Sequence, residues 1–505
     1  MTNTLFDALF APYVGKDTRF LIDEQQNITT HAEFLNLANK ITHALGASGL
    51  RVGDRVAVQI EKSIYGLAIY AACVQGGFVF LPLNTAYTAS EVSYFVRDSG
   101  ARVLIGDYQR EGALAQLAQD LGIELLSVDA TGDQGSLNQT IEKADISFNP
   151  VPRAPNDLAA ILYTSGTTGR SKGAMISHQN LVSNARALQE AWRFSKRDVL
   201  LHALPILHTH GLFVATNIML LCGGSMIFHK RFDLDLMFKS FGEATSMMGV
   251  PTFYTRLLSD DRLTQDAVSN MRVFISGSAP LLAETHSQFE SKTGHRILER
   301  YGMTETNMNT SNPYEGERRA GTVGLPLAGV DLRITDADTG LPLPQGEIGL
   351  IEVRGDNVFS GYWNMPEKTK AEFRDDGFFI TGDLGFVDGD GYVSIVGRNK
   401  DLIISGGYNI YPKEIELVLD DQDGVVESAV IGVPDADFGE AVIGIITVEA
   451  GVDPDLDAIM ANVQSSLARF KHPRRLIIVD ELPRNTMGKV QKNILKDQFK
   501  TCLDD

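Results

Sequence analysis

The run Tyr163-Thr164-Ser165-Gly166-Thr167-Thr168-Gly169-Arg170-Ser171-Lys172-Gly173 follows directly on the apolar segment from Leu158 to Leu162. A buried strand that leads into such a loop presents backbone N–H groups and hydroxyls to an anion, with a cation beside them. Glycine lets the backbone approach a ligand closely, and Ser and Thr hydroxyls replace the water that a phosphate oxygen loses. The run therefore predicts a nucleotide phosphate loop at the end of a strand.

Two other interpretations of this loop are weaker. It is not a Walker A motif, because Lys172 is followed by glycine and not by Ser or Thr. A flexible Ser/Gly surface turn would have a similar composition, but such linkers rarely adjoin a buried strand.

The flanking sequence predicts an α/β fold. Residues 30 to 250 alternate helical apolar periodicity with short β-rich runs, such as Arg55-Val-Ala-Val-Gln-Ile and Ala101-Arg-Val-Leu-Ile. This alternation indicates parallel βαβ sheets, and the Gly/Asp turns between about 320 and 400 indicate a small barrel-like β unit. We place a large N-terminal domain at 1–398 and a small α+β C-terminal domain at 399–505.

Composition excludes several classes of protein. With a net charge of −19 over 505 residues, the chain has no basic surplus for general nucleic-acid binding, so an anionic substrate needs a local cluster of cations. Its three widely separated cysteines fit a reducing, cytoplasmic environment. Prolines and histidines interrupt the uncharged stretches 63–90 and 199–228, so we expect no membrane span. Nothing in the sequence indicates an obligate protein partner.

Other short motifs carry less information by themselves. Tyr301-Gly-Met-Thr-Glu-Thr306 could stack on a base and ligate Mg²⁺, although a capped helix start would look similar. Thr381-Gly-Asp383 could hold a ribose or form a tight turn. Ser405-Gly-Gly407 could let a thin ligand pass, and the lysine of Pro483-Arg-Asn-Thr-Met-Gly-Lys489 follows a polar turn.

The histidines of His208-Thr209-His210 have three interpretations. Two histidines at i and i+2 on a strand could share a zinc ion, but no further ligand set converges on them. Buried core histidines are the more common case. A substrate pocket is the third interpretation.

Taken together and in this order, the motifs resemble the adenylate-forming superfamily of acyl-CoA synthetases, luciferases and peptide-synthetase adenylation domains. The resemblance covers essentially the whole chain, from the phosphate loop to the run Gly397-Arg-Asn-Lys-Asp-Leu-Ile-Ile-Ser-Gly-Gly407 and Lys489. One departure is Ser171, where many members have proline. This change should loosen the loop slightly without removing a ligand.

The resemblance implies a reaction in two steps. A carboxylate attacks the α-phosphate of ATP to give an acyl-adenylate and pyrophosphate, and the thiol of coenzyme A then displaces AMP. It further implies that Lys489 bridges the carboxylate and the α-phosphate. Lys400 would be the hinge about which the C-terminal domain rotates, removing Lys489 and bringing Gly406-Gly407 to a pantetheine tunnel.

The resemblance also implies roles for the other motif residues. The catalytic set is Lys489, His208, Glu305 and Thr164, with Glu305 as the Mg²⁺ ligand. Asp383 and Arg398 would hold the ribose, and Tyr301 and Gly277 to Ala279 would lie on either side of adenine. Residues that contact ATP or coenzyme A would be Thr164, Ser165, Gly166, Thr167, Thr168, Gly169, Lys172, Gly277, Ser278, Ala279, Glu299, Arg300, Tyr301, Gly302, Met303, Thr304, Asp383, Arg398, Lys400, Ser405, Gly406 and Gly407.

The acyl pocket points to a diacid. His210 stands where many relatives have an aromatic residue, and Arg256 lies about one and a half turns into a helix that begins at Pro251. With Ser278, these side chains suit a second carboxylate, which could not be desolvated unpaired. The stretches resemble malonyl-CoA synthetases, so we predict malonate, with methylmalonate as a second substrate. The alternative is that Arg256 is an ordinary surface residue.

Three rival functions stay open at this point. The first is a CoA ligase for a short, medium-chain or aryl monocarboxylate, with Arg256 turned outward. A non-catalytic nucleotide sensor is the second, although binding alone does not need Lys489. The third is an adenylation domain that loads a carrier protein, although the chain has no fused carrier domain.

Overall fold

The computed structural model describes residues 2–164, 171–405, 408–435, 437–449, 451–485 and 489–503. Of the predicted site residues, Ser165, Gly166, Thr167, Thr168, Gly169, Gly406 and Gly407 lie outside these described residues. No helix in the described ranges is long and apolar enough to cross a membrane.

The strands, in chain order, are β1 Arg19–Ile22, β2 Ile28–Thr30, β3 Arg55–Gln59, β4 Val79–Pro82, β5 Val103–Asp107, β6 Glu124–Val128, β7 Leu158–Thr164, β8 Lys172–Ser177, β9 Val199–His202, β10 Ser225–Phe228, β11 Ser246–Gly249, β12 Val273–Ser276, β13 Leu298–Met303, β14 Asn307–Ser311, β15 Leu325–Pro326, β16 Val330–Thr335, β17 Gly349–Gly355, β18 Phe379–Val387, β19 Val393–Arg398, β20 Ile403–Ser405, β21 Tyr408–Ile410, β22 Val425–Asp435, β23 Gly439–Val448 and β24 Arg475–Ile478.

The α-helices are α1 Thr4–Leu9, α2 His31–Ala47, α3 Ile64–Gly76, α4 Ala89–Ser99, α5 Glu111–Leu121, α6 Ser136–Ile141, α7 His178–Ala191, α8 Asn217–Cys222, α9 Leu234–Ser240, α10 Pro251–Leu258, α11 Ala283–Thr293, α12 Pro366–Glu372, α13 Pro412–Asp420, α14 Leu456–Ser466 and α15 Lys492–Phe499. A π-helix spans His210–Thr216, and 3₁₀ turns span Ala11–Tyr13, Tyr108–Arg110, Asn399–Asp401 and Arg469–Lys471.

Two large sheets confirm the predicted α/β architecture. One has the order β6-β5-β3-β4-β7-β8, and the other has the order β15-β14-β13-β12-β11-β9-β10-β1-β2. Neighbouring strands are parallel from β10 through β9, β11 and β12 to β13. Parallel strands of this kind are buried on both faces, which explains their continuous apolar runs. The smaller β unit predicted between 320 and 400 is a four-stranded sheet, β16-β17-β18-β19.

The C-terminal part has its own core. Its five strands are β21, β20, β23, β22 and β24. Alternate residues of β22 and β23 enter two hydrophobic clusters, one packed against α13 and α14 and the other against α15. This alternation follows from the two-residue period of a strand.

Contacts between residues divide the chain into two compact units. The first comprises Met1–Asp331 with Val353–Phe379, and the second comprises Leu332–Glu352 with Ile380–Asp505. Most of β18 and all of β19 thus belong to the second unit. The predicted division into domains at 1–398 and 399–505 stays a prediction.

Candidate active site

The predicted phosphate loop joins two antiparallel strands of the first unit. In the β7–β8 hairpin, Thr164 pairs with Lys172. The side chain of Lys172 lies over the ring of Tyr362, with Nζ 4.2 Å from its centroid, and 3.4 Å from Oε1 of Glu372. The lysine predicted to bind phosphate therefore has an aromatic face and a carboxylate as its neighbours.

A tyrosine hydroxyl connects this lysine to the predicted metal ligand. The hydroxyl of Tyr362 lies 3.0 Å from Oε1 of Glu305 and 2.7 Å from Oε2 of Glu372. Thr164 Oγ1 lies 3.5 Å from the same Glu305 oxygen. Burial and the two carboxylates raise the pKa of Tyr362, so the phenol stays protonated and donates. Thr164, Lys172 and Glu305, predicted together, are thus brought together.

The described residues contain no group of three His, Cys, Asp or Glu side chains that could hold a metal ion. Mg²⁺ does not require such a group, because it usually binds one or two carboxylates together with water and substrate phosphates. The oxygen donors Glu305 and Thr164 fit this mode of binding.

A second group lies at the carboxyl ends of the parallel strands, the usual location of ligands in open α/β sheets. His210 begins the π-helix after β9, and its Nδ1 lies 3.2 Å from Oγ of Ser278, which follows β12. Ser278 has a φ of 72°, a left-handed conformation that Ser rarely adopts. Strained residues of this kind are concentrated at functional sites.

Arg300, on β13, is buried beside this pair. The guanidinium packs so closely on Gly277 that a Cβ atom there would lie 2.4 Å from Cζ of Arg300. Nε and Nη2 of Arg300, and Nε2 of His210, are buried and have no hydrogen-bond partner among the described residues. Burial lowers the pKa of Arg300 to about 9, and burial together with Arg300 keeps the pKa of His210 well below its ordinary value.

Arg256 occupies a different position. It is exposed on α10, with its guanidinium 4.6 Å from the ring centroid of Phe232. Within the described ranges no contact joins Arg256 to His210 or Ser278, so its role in the pocket stays a prediction. The burial that we expected for Arg256 is found instead at Arg300.

The remaining predicted residues of the first unit follow the strand ends. His208 is partly buried, and burial lowers its pKa to about 4. Ala279 follows Ser278 and is partly buried. The β13 segment and its extension supply Glu299, Arg300, Tyr301, Gly302, Met303 and Thr304, of which the first three are buried.

The second unit contains the two residues predicted to bind the ribose and the lysine predicted to be catalytic. Asp383 and Arg398 are opposite each other on β18 and β19, and Arg398 Nε lies 2.6 Å from Asp383 Oδ1. Asn485 positions the backbone of Lys489 through hydrogen bonds of 2.9 and 3.0 Å. Desolvation and then the charge of Arg398 lower the pKa of Lys489 to about 8, and Lys400 acts in the same direction. Ser405 ends β20.

Several residues at these sites were not predicted. Tyr362 and Glu372 are separated from the phosphate loop by about 200 residues of sequence, and neither belongs to a motif that we used. For Arg300 the resemblance implies a contact with ATP or coenzyme A, and only the fold places its guanidinium beside His210.

Comparisons with known proteins show the family of this chain. The family model of AMP-binding enzymes matches residues 11–363, and that of the AMP-binding enzyme C-terminal domain matches residues 414–489. The chain is 53% identical to ATP-bound MatB from Rhodopseudomonas palustris, with a TM-score of 0.97 over 99% of this chain and 100% of that one.

Two curated relatives are more distant. A malonate–CoA ligase of Arabidopsis thaliana is 36% identical over 88% of this chain and 78% of the relative. A feruloyl-CoA synthase of Amycolatopsis is 35% identical over 93% of this chain and 94% of the relative. From the phosphate-loop hairpin to the C-terminal lysine, the chain belongs to the family of AMP-binding enzymes and is one of its AMP-forming CoA ligases.

Proposed function

We propose that this chain joins malonate to coenzyme A through a malonyl-adenylate, with ATP converted to AMP and pyrophosphate. The observation that carries the proposal is the buried guanidinium of Arg300 beside His210. A buried cation without a partner is costly, and a ligand carboxylate would supply its partner through charge-assisted hydrogen bonds. An apolar monocarboxylate would leave these donors unpaired.

In this proposal the distal carboxylate of malonate accepts hydrogen bonds from Arg300 and His210, and Ser278 orients the imidazole of His210. The neutral His210 can offer an N–H at Nε2, because its Nδ1 can accept from the Ser278 hydroxyl. Methylmalonate, with one extra methyl group, is proposed as a second substrate. The other carboxylate of malonate would remain free to attack the α-phosphate of ATP.

Arg256 is proposed as an outer contact that attracts the diacid. We expect Arg256→Ala to raise the malonate KM by about tenfold, less than the loss of a buried partner, because an exposed charge is screened. Steady-state kinetics at low and high salt would measure this, and the difference should shrink at high salt. An unchanged malonate KM at low salt would make Arg256 an ordinary surface residue.

At the phosphate end, we propose that Lys172 and the residues of the 164–169 loop hold the β- and γ-phosphates. Mg²⁺ would bind through Glu305 and neutralise phosphate charge. Tyr301 and residues 277–279 are proposed around adenine, and Asp383 and Arg398 at the ribose. Lys400 is proposed as the hinge. A cytoplasmic location stays a prediction from cysteine content.

We expect Tyr362→Phe to raise the KM for MgATP by about tenfold while leaving the malonate KM unchanged, because it removes the donor shared by two carboxylates. Without this hydroxyl, Glu305 and Glu372 lose a hydrogen-bond donor that lies between them. ATP–pyrophosphate exchange would measure the effect. Tyr70→Phe is the control, because Tyr70 is a buried tyrosine that donates to Asn217, away from these groups. An unchanged ATP KM would contradict the role given to Tyr362.

The proposal is tested by CoA-dependent AMP release with malonate, methylmalonate, succinate, acetate, butyrate, octanoate and ferulate. We expect the highest kcat/KM for malonate. Preference for ferulate or butyrate would retain the CoA ligase and replace the diacid pocket by that of a monocarboxylate enzyme, the alternative supported by the similarity to a feruloyl-CoA synthase.

A further inference from the structure

Lys62, between β3 and α3, is an unusual buried cation. Its side chain is almost fully enclosed, with 7% of the residue exposed, and Nζ lies 4.3 Å from the ring centroid of Phe228. Among the described residues no carboxylate lies within salt-bridge distance of it. Burial lowers the pKa of Lys62 well below its ordinary value, and the charge of Glu24 opposes this shift. Methionine would fill such a space at a lower cost.

Among the residues that the structure describes, the amine of Lys62 has His202, at the end of β9, as its hydrogen-bond partner. Nζ lies 2.9 Å from Nδ1 of His202 and 2.8 Å from its carbonyl oxygen. Nε2 of His202 lies 2.9 Å from the carbonyl oxygen of Gly211, which can only accept. A neutral imidazole carries one N–H, so Nε2 donates to Gly211 and Nδ1 accepts from Lys62. Lys62 thereby fixes the tautomer and orientation of His202.

Gly211 is next to His210 in the π-helix, and its backbone is constrained by hydrogen bonds and by close packing. Its carbonyl oxygen also accepts from Thr216 Oγ1 at 2.9 Å. A Cβ atom on Gly211 would lie 2.0 Å from the carbonyl oxygen of Pro205, so only glycine fits. The Gly211–Leu212 peptide, one residue beyond His210, is therefore oriented by His202 together with Thr216.

We propose that Lys62 is a positioning residue of the acyl pocket, which acts through His202 and the Gly211 carbonyl to hold His210 toward the distal carboxylate of the substrate. The inference rests on the proposed function, because it assumes that His210 contacts that carboxylate. Lys62 itself touches none of the reacting groups.

The test compares Lys62→Met in two backgrounds. In the wild-type background, we expect the malonate KM to rise at least about tenfold, with the ATP KM within about twofold, because a displaced pocket group weakens substrate positioning. In the His202→Gln background, the glutamine amide can donate to Gly211 without help from Lys62. There we expect Lys62→Met to change the malonate KM by less than about twofold, since the two residues act as one unit.

The controls separate positioning from general stability. Gln75→Met removes comparable buried hydrogen bonds, to Asn39 and Thr42, on the neighbouring helix α3. We expect it to lower thermal stability and leave the malonate KM unchanged. An unchanged malonate KM in Lys62→Met, or an equal rise in both backgrounds, would overturn the inference.

The proposed function is judged separately, by whether the unmodified enzyme turns over malonate at all. If Lys62→Met gives no folded protein, His202→Leu and His202→Gln decide the matter together. Because leucine removes the donor to Gly211 and glutamine retains one, we expect the malonate KM to rise at least about tenfold in His202→Leu and to stay within about twofold in His202→Gln. Equal malonate KM values in the two variants would contradict the inference.

Discussion

Replacing Lys489 with alanine should abolish formation of the acyl-adenylate while the second half-reaction persists. In the proposed mechanism, its ammonium neutralises charge that grows between carboxylate and α-phosphate, and loss of such a group costs about two to three decades in rate. Malonate-dependent ATP–pyrophosphate exchange should fall by that factor. Conversion of supplied malonyl-adenylate and CoA to malonyl-CoA should stay within about threefold of the unmodified enzyme.

The pH dependence provides a check on the same residue. Because the pKa of Lys489 is lowered to about 8, the ammonium is present below that pH and lost above it. Adenylation should therefore decline as pH rises through about 8, and Lys489→Arg should move this decline to higher pH. Lys492→Ala, a nearby lysine that pairs with Glu416, is the matched control. Equal loss of both half-reactions in Lys489→Ala would contradict the assignment.

Replacing Arg300 with methionine should lower kcat/KM for malonate by at least about 100-fold, the range typical of a lost buried charge partner. The same substitution should leave the melting temperature unchanged or raise it, because it removes a buried cation that has unpaired donors. Activity with butyrate, relative to malonate, should increase. This combination of lost recognition and retained stability distinguishes a substrate ligand from a structural arginine.

Arg318→Met is the control for this substitution. Arg318 is also partly desolvated, but its guanidinium donates to backbone carbonyls of Pro313, Arg296 and Tyr314. We expect that variant to lose stability and to retain malonate preference. If Arg300→Met instead unfolds at a lower temperature with an unchanged malonate KM, the diacid pocket must be assigned to other residues.

Short segments of sequence were sufficient to predict those features of the fold that depend on neighbouring residues. The strand that leads into the phosphate loop and the alternation of strands and helices follow from apolar periodicity. The order of the strands was not predicted, because it depends on long-range packing that no short segment encodes.

The contacts that were missed join distant parts of the chain. Tyr362 reaches Glu305 across 57 residues, and Lys62 reaches His202 across 140. The sequence does contain one indication that Lys62 is buried, because this lysine directly precedes the uncharged stretch that begins at Ser63. The exposure of Arg256 was likewise not predicted, because helix position alone does not tell which arginine is buried.

The ion pair between Lys172 and Glu372 has a consequence for nucleotide selectivity. Both side chains are largely shielded from water, with 13% and 20% of their side chains exposed. If Lys172 binds the β- and γ-phosphates as proposed, an incoming nucleotide would have to displace the carboxylate of Glu372 from the ammonium. A triphosphate with its metal would bring charge to this position, whereas AMP has no β- or γ-phosphate to do so. We therefore expect product AMP to inhibit ATP binding only weakly.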